Sequence, residues 1–577
     1  MAINYEDIFK RANDFYLKGE YDEALNVLEE VTEKDAKISE FKYKMLTNMA
    51  QVCERENDIE SLLVCLTEME KIKPKDENIL LKIALNLEQT NYLPNALLYY
   101  QKILAVNPKS FDALIHIALL FIKGKKYQSA LNYIERAKKE KTNQYITAYA
   151  YFKVYEGECK FKEAMTFAKE MVTLDPNREN AYYDCARTSF HLFDYQNTLE
   201  YCDKYLKFQP NDTDILCLRI QCLKKLGKTI NAAPLYEDLI KRYPNSYVAK
   251  RFYAMETLSN KDYQNGMKYY LDVVSPKTIP GERPKVEDKF LEYEKKQWHR
   301  ENLTNKTILV YHGSFGAGDY LMFSRYIHEL ETKAGKVLVE TNENFYELFK
   351  YNFPKSTVIK ETKEAIPSNT YDYSCSSMEL FYGTNIGFER FPYNEGWLNI
   401  PNEKIQAAKN TGIFDKTKLN AGIFWRGSGG EMGYRSMDFE NFIPLFNTPN
   451  CNFFSFDIIQ KETNTLEIMK KYEIKDCSKY IKNAIDTGAF MKNLDVFITV
   501  DSFPLHLAGA LGIKSYLLLP VLSEWRWFND NKNTPWYNSV KIFKQTETEN
   551  IDIIIQKIKK ELELLYSYRS FFSAKNH

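Results

Sequence analysis

Two hydrophobic rhythms divide the chain. Through its first half a small residue returns every 34 positions on the second helix of a predicted pair, at Ala96, Ala130, Ala164, Thr198, Ala232 and Gly266. Leu62 begins that series and Ala24 precedes it by 38 positions. Pro74, Pro108, Pro176, Pro210 and Pro244 mark unit ends in the same period, with Thr142 where one proline is missing. Tyr127, Phe161, Tyr195 and Tyr263 hold a third phase. A small residue lets two helices approach, an aromatic fills the gap beside it, and proline ends the second helix. From Lys306 the rhythm changes to short Val/Ile-rich runs alternating with helical patterns. Strands are predicted at Thr307–Tyr311, Lys336–Glu340 and Thr357–Lys360, with helices at Tyr320–Leu330 and Asn344–Tyr351. A second alternating block opens near Asn420, with a helix at Asp438–Phe446, a strand at Cys451–Phe456 and a helix at Ala484–Met491. Such alternation predicts parallel sheets.

The most informative stretch is Asn493–Pro520, NLDVFITVDSFPLHLAGALGIKSYLLLP. Asp495–Val500 reads as a buried strand. Pro504 suits the first turn of a helix, Gly512 its end, and Tyr516–Leu519 a second buried strand. The helix start then faces the crevice outside a parallel sheet, where free N–H groups and a positive dipole end favour phosphate. Asp501 and Ser502 stand at that start. The alternative is that they only cap the helix.

Composition narrows the classes. Lys plus Arg and Asp plus Glu both number 78, which argues against a nucleic-acid partner. No apolar run is long enough to span a bilayer, and the N-terminus lacks a signal-peptide core. Ten Cys are scattered without a CxxC pair, which fits a reducing, cytoplasmic location. Seven His are dispersed, so no metal site and no cofactor is expected. The loop His312–Asp319, HGSFGAGD, matches neither a dinucleotide fingerprint nor a Walker motif. Asp212-Thr213-Asp214 has the look of a metal–nucleotide motif, but follows Pro210 at a turn between units and reads as a helix cap.

The 34-residue period resembles the tetratricopeptide repeat. About eight units cover Asn4–Val274, with a domain boundary near residue 275. The resemblance implies an α-solenoid, a superhelix with a concave groove that holds a segment of another protein; a purely structural array is the alternative. Residues 276–305 form a connector, beginning in SPKTIPGERPK, and a charged junction helix.

The second half resembles bacterial repeat-containing glycosyltransferases related to the heptosyltransferases. Val310–Ile327, Tyr371–Asn385 and Arg390–Leu398 look like the first lobe. Phe424–Phe446, Phe453–Asp457, Asn493–Gly512 and Glu524–Gln545 look like the second. The resemblance implies an α/β GT-B fold of two Rossmann-like lobes: an acceptor lobe at 306–403, and a lobe for the nucleotide-sugar, with a closing helix, at 404–577. Relatives add sugars to lipopolysaccharide or, with attached repeats, to protein side chains such as those of flagellin. Phe503 stands where a small residue is usual, and the sugar stays unassigned.

Individual residues then acquire expected roles. Arg426 and Arg435 suit phosphate oxygens and a leaving phosphate, or are surface arginines. His506, one turn into the helix, reaches donor phosphate or sugar, or is a core histidine. Trp525 and Arg526 follow the strand ending near Pro520; an aromatic there packs on base or ribose, or lids the core. Asp319 matches the Gly-Asp position that serves as base in the relatives, with N-capping as its alternative and His312 as the second candidate base. Gly316 and Gly318 let an acceptor approach closely. The function expected is metal-independent sugar transfer from a nucleotide-sugar to Ser or Thr hydroxyls of a protein held by the repeats, flagellin being one candidate. The rivals are an inactive repeat adaptor and a transferase acting on a glycan or lipopolysaccharide precursor.

Overall fold

The computed structural model describes residues 5–29, 36–229, 231–274, 288–313, 316–384, 391–427, 435–459, 462–521, 523–528 and 533–575. The Pro-rich start of the connector, Ser275–Glu287, and the Gly-rich stretch Ser428–Tyr434 lie outside the described residues. The chain divides into two compact units, Met1–Pro210 and Asn211–His577.

The first unit is a run of paired helices, such as Glu77–Gln89 with Leu93–Val106 and Gln144–Gly157 with Phe161–Leu174. The small-residue phase lies at their contacts: Ala96, Ala130, Ala164 and Thr198 are fully buried. Tyr127 and Phe161 of the aromatic phase sit against the first helix of the next pair, at Gly157 and His191. A Cβ built on Gly157 would lie 2.6 Å from the Tyr127 ring, so only glycine admits that ring there. A further phase was hidden in the sequence. Asn57, Asn91, Lys125, Cys159, Phe193, Gly227 and Lys261 all have positive φ and stand 34 residues apart, each at the turn inside a pair. Glycine would satisfy that left-handed turn most cheaply, yet only one of the seven is glycine, so composition did not announce it.

The second unit begins with two more pairs, Thr213–Lys225 with Ala233–Arg242 and Tyr247–Ser259 with Tyr263–Val274. Asp212 is a cap: its carboxylate accepts from the amides of Asp214 and Ile215 at 2.9 and 3.1 Å. The first lobe holds β1 (Thr307–Tyr311), β2 (Lys336–Thr341), β3 (Thr357–Lys360) and β4 (Tyr373–Ser376) in the order β3-β2-β1-β4. The second holds β5 (Leu419–Phe424), β6 (Cys451–Ser455), β7 (Lys475–Asp476), β8 (Val496–Val500), β9 (Ser515–Leu519) and β10 (Val540–Lys544) in the order β10-β9-β8-β5-β6-β7. Every pairing among these ten strands is parallel. β8 and β9 are buried along their whole length, which explains their unbroken apolar sequence. The Ile551–Lys575 helix closes the second sheet with Ile554, Ile555, Ile558 and Leu562. The chain is thus a tetratricopeptide-type helix array followed by two Rossmann-like α/β lobes.

One core joins the last repeat pair to both lobes. Leu258 and Met267 are fully buried with Trp298, Phe381, Trp525 and Trp536. Gly266 permits the two helices of that pair to approach, since a Cβ there would fall 2.5 Å from Leu258 Cγ. Tyr263 meets Phe381 at 5.6 Å and Tyr270 meets Trp525 edge-on at 5.7 Å. Among the described residues no helix is long and apolar enough to cross a membrane.

Two expected helices differ. The helix after β1 starts at Ala317, three residues earlier than the apolar spacing indicated. It tightens into a 3₁₀ turn at Ser324–Tyr326 before resuming at Ile327. The expected helix Asp438–Phe446 is a 3₁₀ turn at Phe439–Phe442 and one α turn at Ile443–Phe446. Pro444 has no N–H to return to the preceding turn, so a regular ladder does not form.

Candidate active site

The two lobes meet through a pair of short helices, each following a central strand. In the first lobe, Ala317–Phe323 follows β1, with Gly316 at its cap and Asp319 third in its first turn. In the second, Phe503–Ala510 follows β8. Ser502 occupies the cap position but does not cap. Its hydroxyl donates to the carbonyl of Val500 at 3.0 Å and pairs with the Thr499 hydroxyl at 3.1 Å. The two helices approach where Gly318 faces His506; a Cβ on Gly318 would lie 2.6 Å from His506 Cδ2. Gly318 therefore admits a histidine ring from the other lobe rather than a substrate, and the expected role is corrected. Gly316 stays at the cavity, its would-be Cβ 3.4 Å from Asp319 Oδ2.

A cavity of about 350 Å³ opens at this junction. Asp319 lines it from the first lobe and Asp501, His506 and Arg526 from the second, while Tyr247, Met255 and Tyr270 wall it from the last repeat pair. Asp501 is only 3% exposed. His506 Nε2 stands 3.7 Å from its Oδ1, and Arg435 Nη1 and Arg526 Nη1 stand 3.5 and 3.8 Å from its Oδ2. Burial alone would raise the Asp501 pKa. The contact with His506 and the charges of Arg526 and Arg435 outweigh it and hold the carboxyl well below its usual range. A depressed folded-state pKa adds stability above the unfolded value, about 3.9, and that stability is lost only as pH falls through the folded value. Asp501 is therefore a fixed anion at neutral pH.

Arg526 crosses the cleft: its Nη2 donates to Asp319 Oδ1 at 2.5 Å. Burial pulls the Arg526 pKa down, but Asp319, Asp501 and Glu524 push it up beyond its usual value, so it is a fixed cation. Arg435 Nη2 also stands 3.9 Å from Glu524 Oε1. The Nε–H groups of both arginines are buried and have no acceptor among the described residues. A buried donor without an acceptor costs about 1–3 kcal/mol, more when charged. His506 Nδ1 pairs with the Tyr537 hydroxyl at 2.7 Å. Burial, then Asp319, pushes the Tyr270 hydroxyl up to about 12, so it is neutral at the cavity wall.

The structure brings together Gly316, Gly318, Asp319, Arg435, Asp501, Ser502, His506 and Arg526. It leaves three expected residues out. Arg426 is engaged inside the second lobe, its Nε donating at 2.8 Å to the fully buried Asp457. Trp525 is 1% exposed, packed between Tyr270 and Trp536 behind the cavity; its apolar surface was wanted by the core. His312 stacks on Tyr320 at 4.7 Å off the cavity, and burial lowers its pKa. Sequence reasoning missed Glu524, Tyr270 and Tyr537. Glu524 directly precedes Trp525 and Arg526, which was a usable signal. Tyr270 gave none, because it reads as one more aromatic on a repeat helix.

No model of a known protein family matches the chain, and no curated protein does. Among solved structures it is similar to the glycosyl transferase family 9 from Veillonella parvula DSM 2008, at 12% identity and a TM-score of 0.36, over 46% of this chain and 99% of that one. It is also similar to a tetratricopeptide repeat protein from Parabacteroides merdae ATCC 43184, at 18% identity and a TM-score of 0.31, over 43% of this chain and 97% of that one. MamA from Desulfovibrio magneticus RS-1 is similar at 20% identity and a TM-score of 0.28, over 30% of this chain and 97% of that one. At these identities and scores none of them assigns an activity.

Proposed function

We propose that the chain is a glycosyltransferase of GT-B architecture, moving a sugar from a nucleotide-sugar to a Ser or Thr hydroxyl of a protein acceptor. The observation that carries this reading is the pair of arginines, Arg435 and Arg526, lining one cavity with a carboxylate, Asp319, of the opposite lobe. The cavity lies in the crevice where parallel sheets hold ligands. In this reading the donor's phosphate lies on Arg435, Arg526 and the start of the Phe503–Ala510 helix. Asp319 takes the acceptor's hydroxyl proton as that oxygen attacks the sugar's anomeric carbon. The anomeric C–O bond breaks with its electron pair passing to the leaving phosphate, whose charge the guanidiniums stabilise. The repeats supply the acceptor, and flagellin-like polypeptides are candidates through the resemblance of the sequence. Releasing nucleotide from a panel of nucleotide-sugars, and intact-mass measurement of an acceptor co-expressed with the chain, test the two halves of the proposal.

The carboxylates of the cavity already face guanidiniums: Asp319 faces Arg526, Asp501 both arginines, and Glu524 faces Arg435. A divalent cation would have to displace those partners. Turnover is therefore expected to persist in EDTA; loss in EDTA with recovery on adding Mg²⁺ or Mn²⁺ would remove the metal-independent mechanism.

A further inference from the structure

Asp319 is tied to a cation of the opposite lobe. Its Oδ1 accepts a charge-assisted hydrogen bond from Arg526, which turns the carboxylate towards the second lobe and leaves only Oδ2 for an acceptor's proton. Arg526 in turn is the most shared cation of the cavity. One terminal nitrogen faces Asp319, the other Asp501, and Nε faces no acceptor. Its side chain is 6% exposed, so it has little water to fall back on and its partners decide where it points. The pair also spans the lobes, Asp319 belonging to the helix after β1 and Arg526 to the 3₁₀ turn Trp525–Trp527 after β9.

We infer that Arg526 exchanges partners: it holds Asp319 until a donor binds, then turns to the donor's phosphate and frees the carboxylate to act as base. The inference rests on the proposed glycosyl transfer and adds an order to it, donor before acceptor. A phosphate offers two charged oxygens to a planar guanidinium and so competes well with one carboxylate oxygen. Asp501 stays beside Arg526 throughout, so the cation is never left without a counter-charge. The device keeps Asp319 from acting before the sugar is in place.

The exchange makes an unusual demand: removing the carboxylate's charge must improve nucleotide binding, because the phosphate then competes for Arg526 with at most a neutral oxygen. Calorimetric titration of the full chain with uridine, guanosine, adenosine, cytidine and thymidine diphosphates reads this directly. Asp319→Asn is expected to bind the best nucleotide about three- to tenfold more tightly than the unaltered chain, a coupling of ordinary size. Asp319→Ala serves if the first variant does not fold. The gain must vanish when Arg526→Met is added, since it acts through that side chain. Equal or weaker binding in Asp319→Asn overturns the exchange while leaving glycosyl transfer standing. So does a gain that survives in Arg526→Met, which would be simple relief of charge repulsion. Failure of the unaltered chain to bind any of the five, or any of the corresponding monophosphates, overturns both.

Discussion

Asp319→Asn is expected to lower sugar transfer on the order of 100-fold or more, the ordinary worth of a general base, while the protein stays folded. The bland role for this residue was a helix cap, and the structure narrows it: the cap position is Gly316, and Asp319 lies inside the first turn. There a carboxylate gains about 0.3–1 kcal/mol from the helix dipole. Asparagine forfeits that but keeps an oxygen that can accept from Arg526. Asp501 remains 3.8 Å from Arg526, so no cation is stranded. The unfolding free energy from denaturant titration should therefore fall by no more than about 1 kcal/mol. Near-normal turnover in Asp319→Asn would leave the residue as an ion-pair partner only. The search for a base would then pass to His506, which lines the cavity, rather than to His312, which does not.

A chain begun at Val286 is expected to lose its fold or its solubility, whereas one begun at Asn211 should keep both and still bind nucleotide. The change of rhythm at Lys306 suggests that the lobes would survive alone. The shared core overturns that expectation. Leu258 and Met267 are fully buried among residues of both lobes, and Tyr263 and Tyr270 cover Phe381 and Trp525. Each large apolar side chain so buried contributes about 1.5–3 kcal/mol. Removing four, and baring tryptophans beneath them, approaches the stability of an ordinary domain, about 5–15 kcal/mol. The compact unit itself starts at Asn211. Thermal unfolding and light scattering of the two chains decide the matter; a well-folded, nucleotide-binding chain begun at Val286 would show that the last repeats are only attached.

The parts of the fold that could be read from sequence share one property: the residue type was dictated locally. Ala96, Ala130 and Ala164 had to be small for helices to touch, and β8 and β9 had to be apolar because both faces are covered. The left-handed turns inside each helix pair escaped, because Lys125, Cys159 and Phe193 tolerate a conformation that they do not advertise. Of the site, the residues nearest the two helix starts were legible: Asp319, Asp501 and His506 follow the ends of parallel strands. Arg426 and Trp525 misled because arginine beside a strand end and tryptophan beside a cleft serve equally well inside, with Asp457 and Tyr270 as partners. Tyr270 was illegible for a different reason. Its role depends on which repeat is last and what it packs against, and a period treats all repeats alike.

The central claim is that Arg435 and Arg526 hold the phosphate of a nucleotide-sugar. Its most direct test is calorimetric titration of the full chain, unaltered and Arg435→Ala, with nucleoside mono- and diphosphates. The account predicts saturable binding of at least one nucleotide. It also predicts a loss of about 1.5–3 kcal/mol in Arg435→Ala, the worth of a charged hydrogen bond, or roughly 10- to 150-fold in affinity. Nucleotide affinity unchanged in Arg435→Ala, or no nucleotide bound by the unaltered chain, would contradict it.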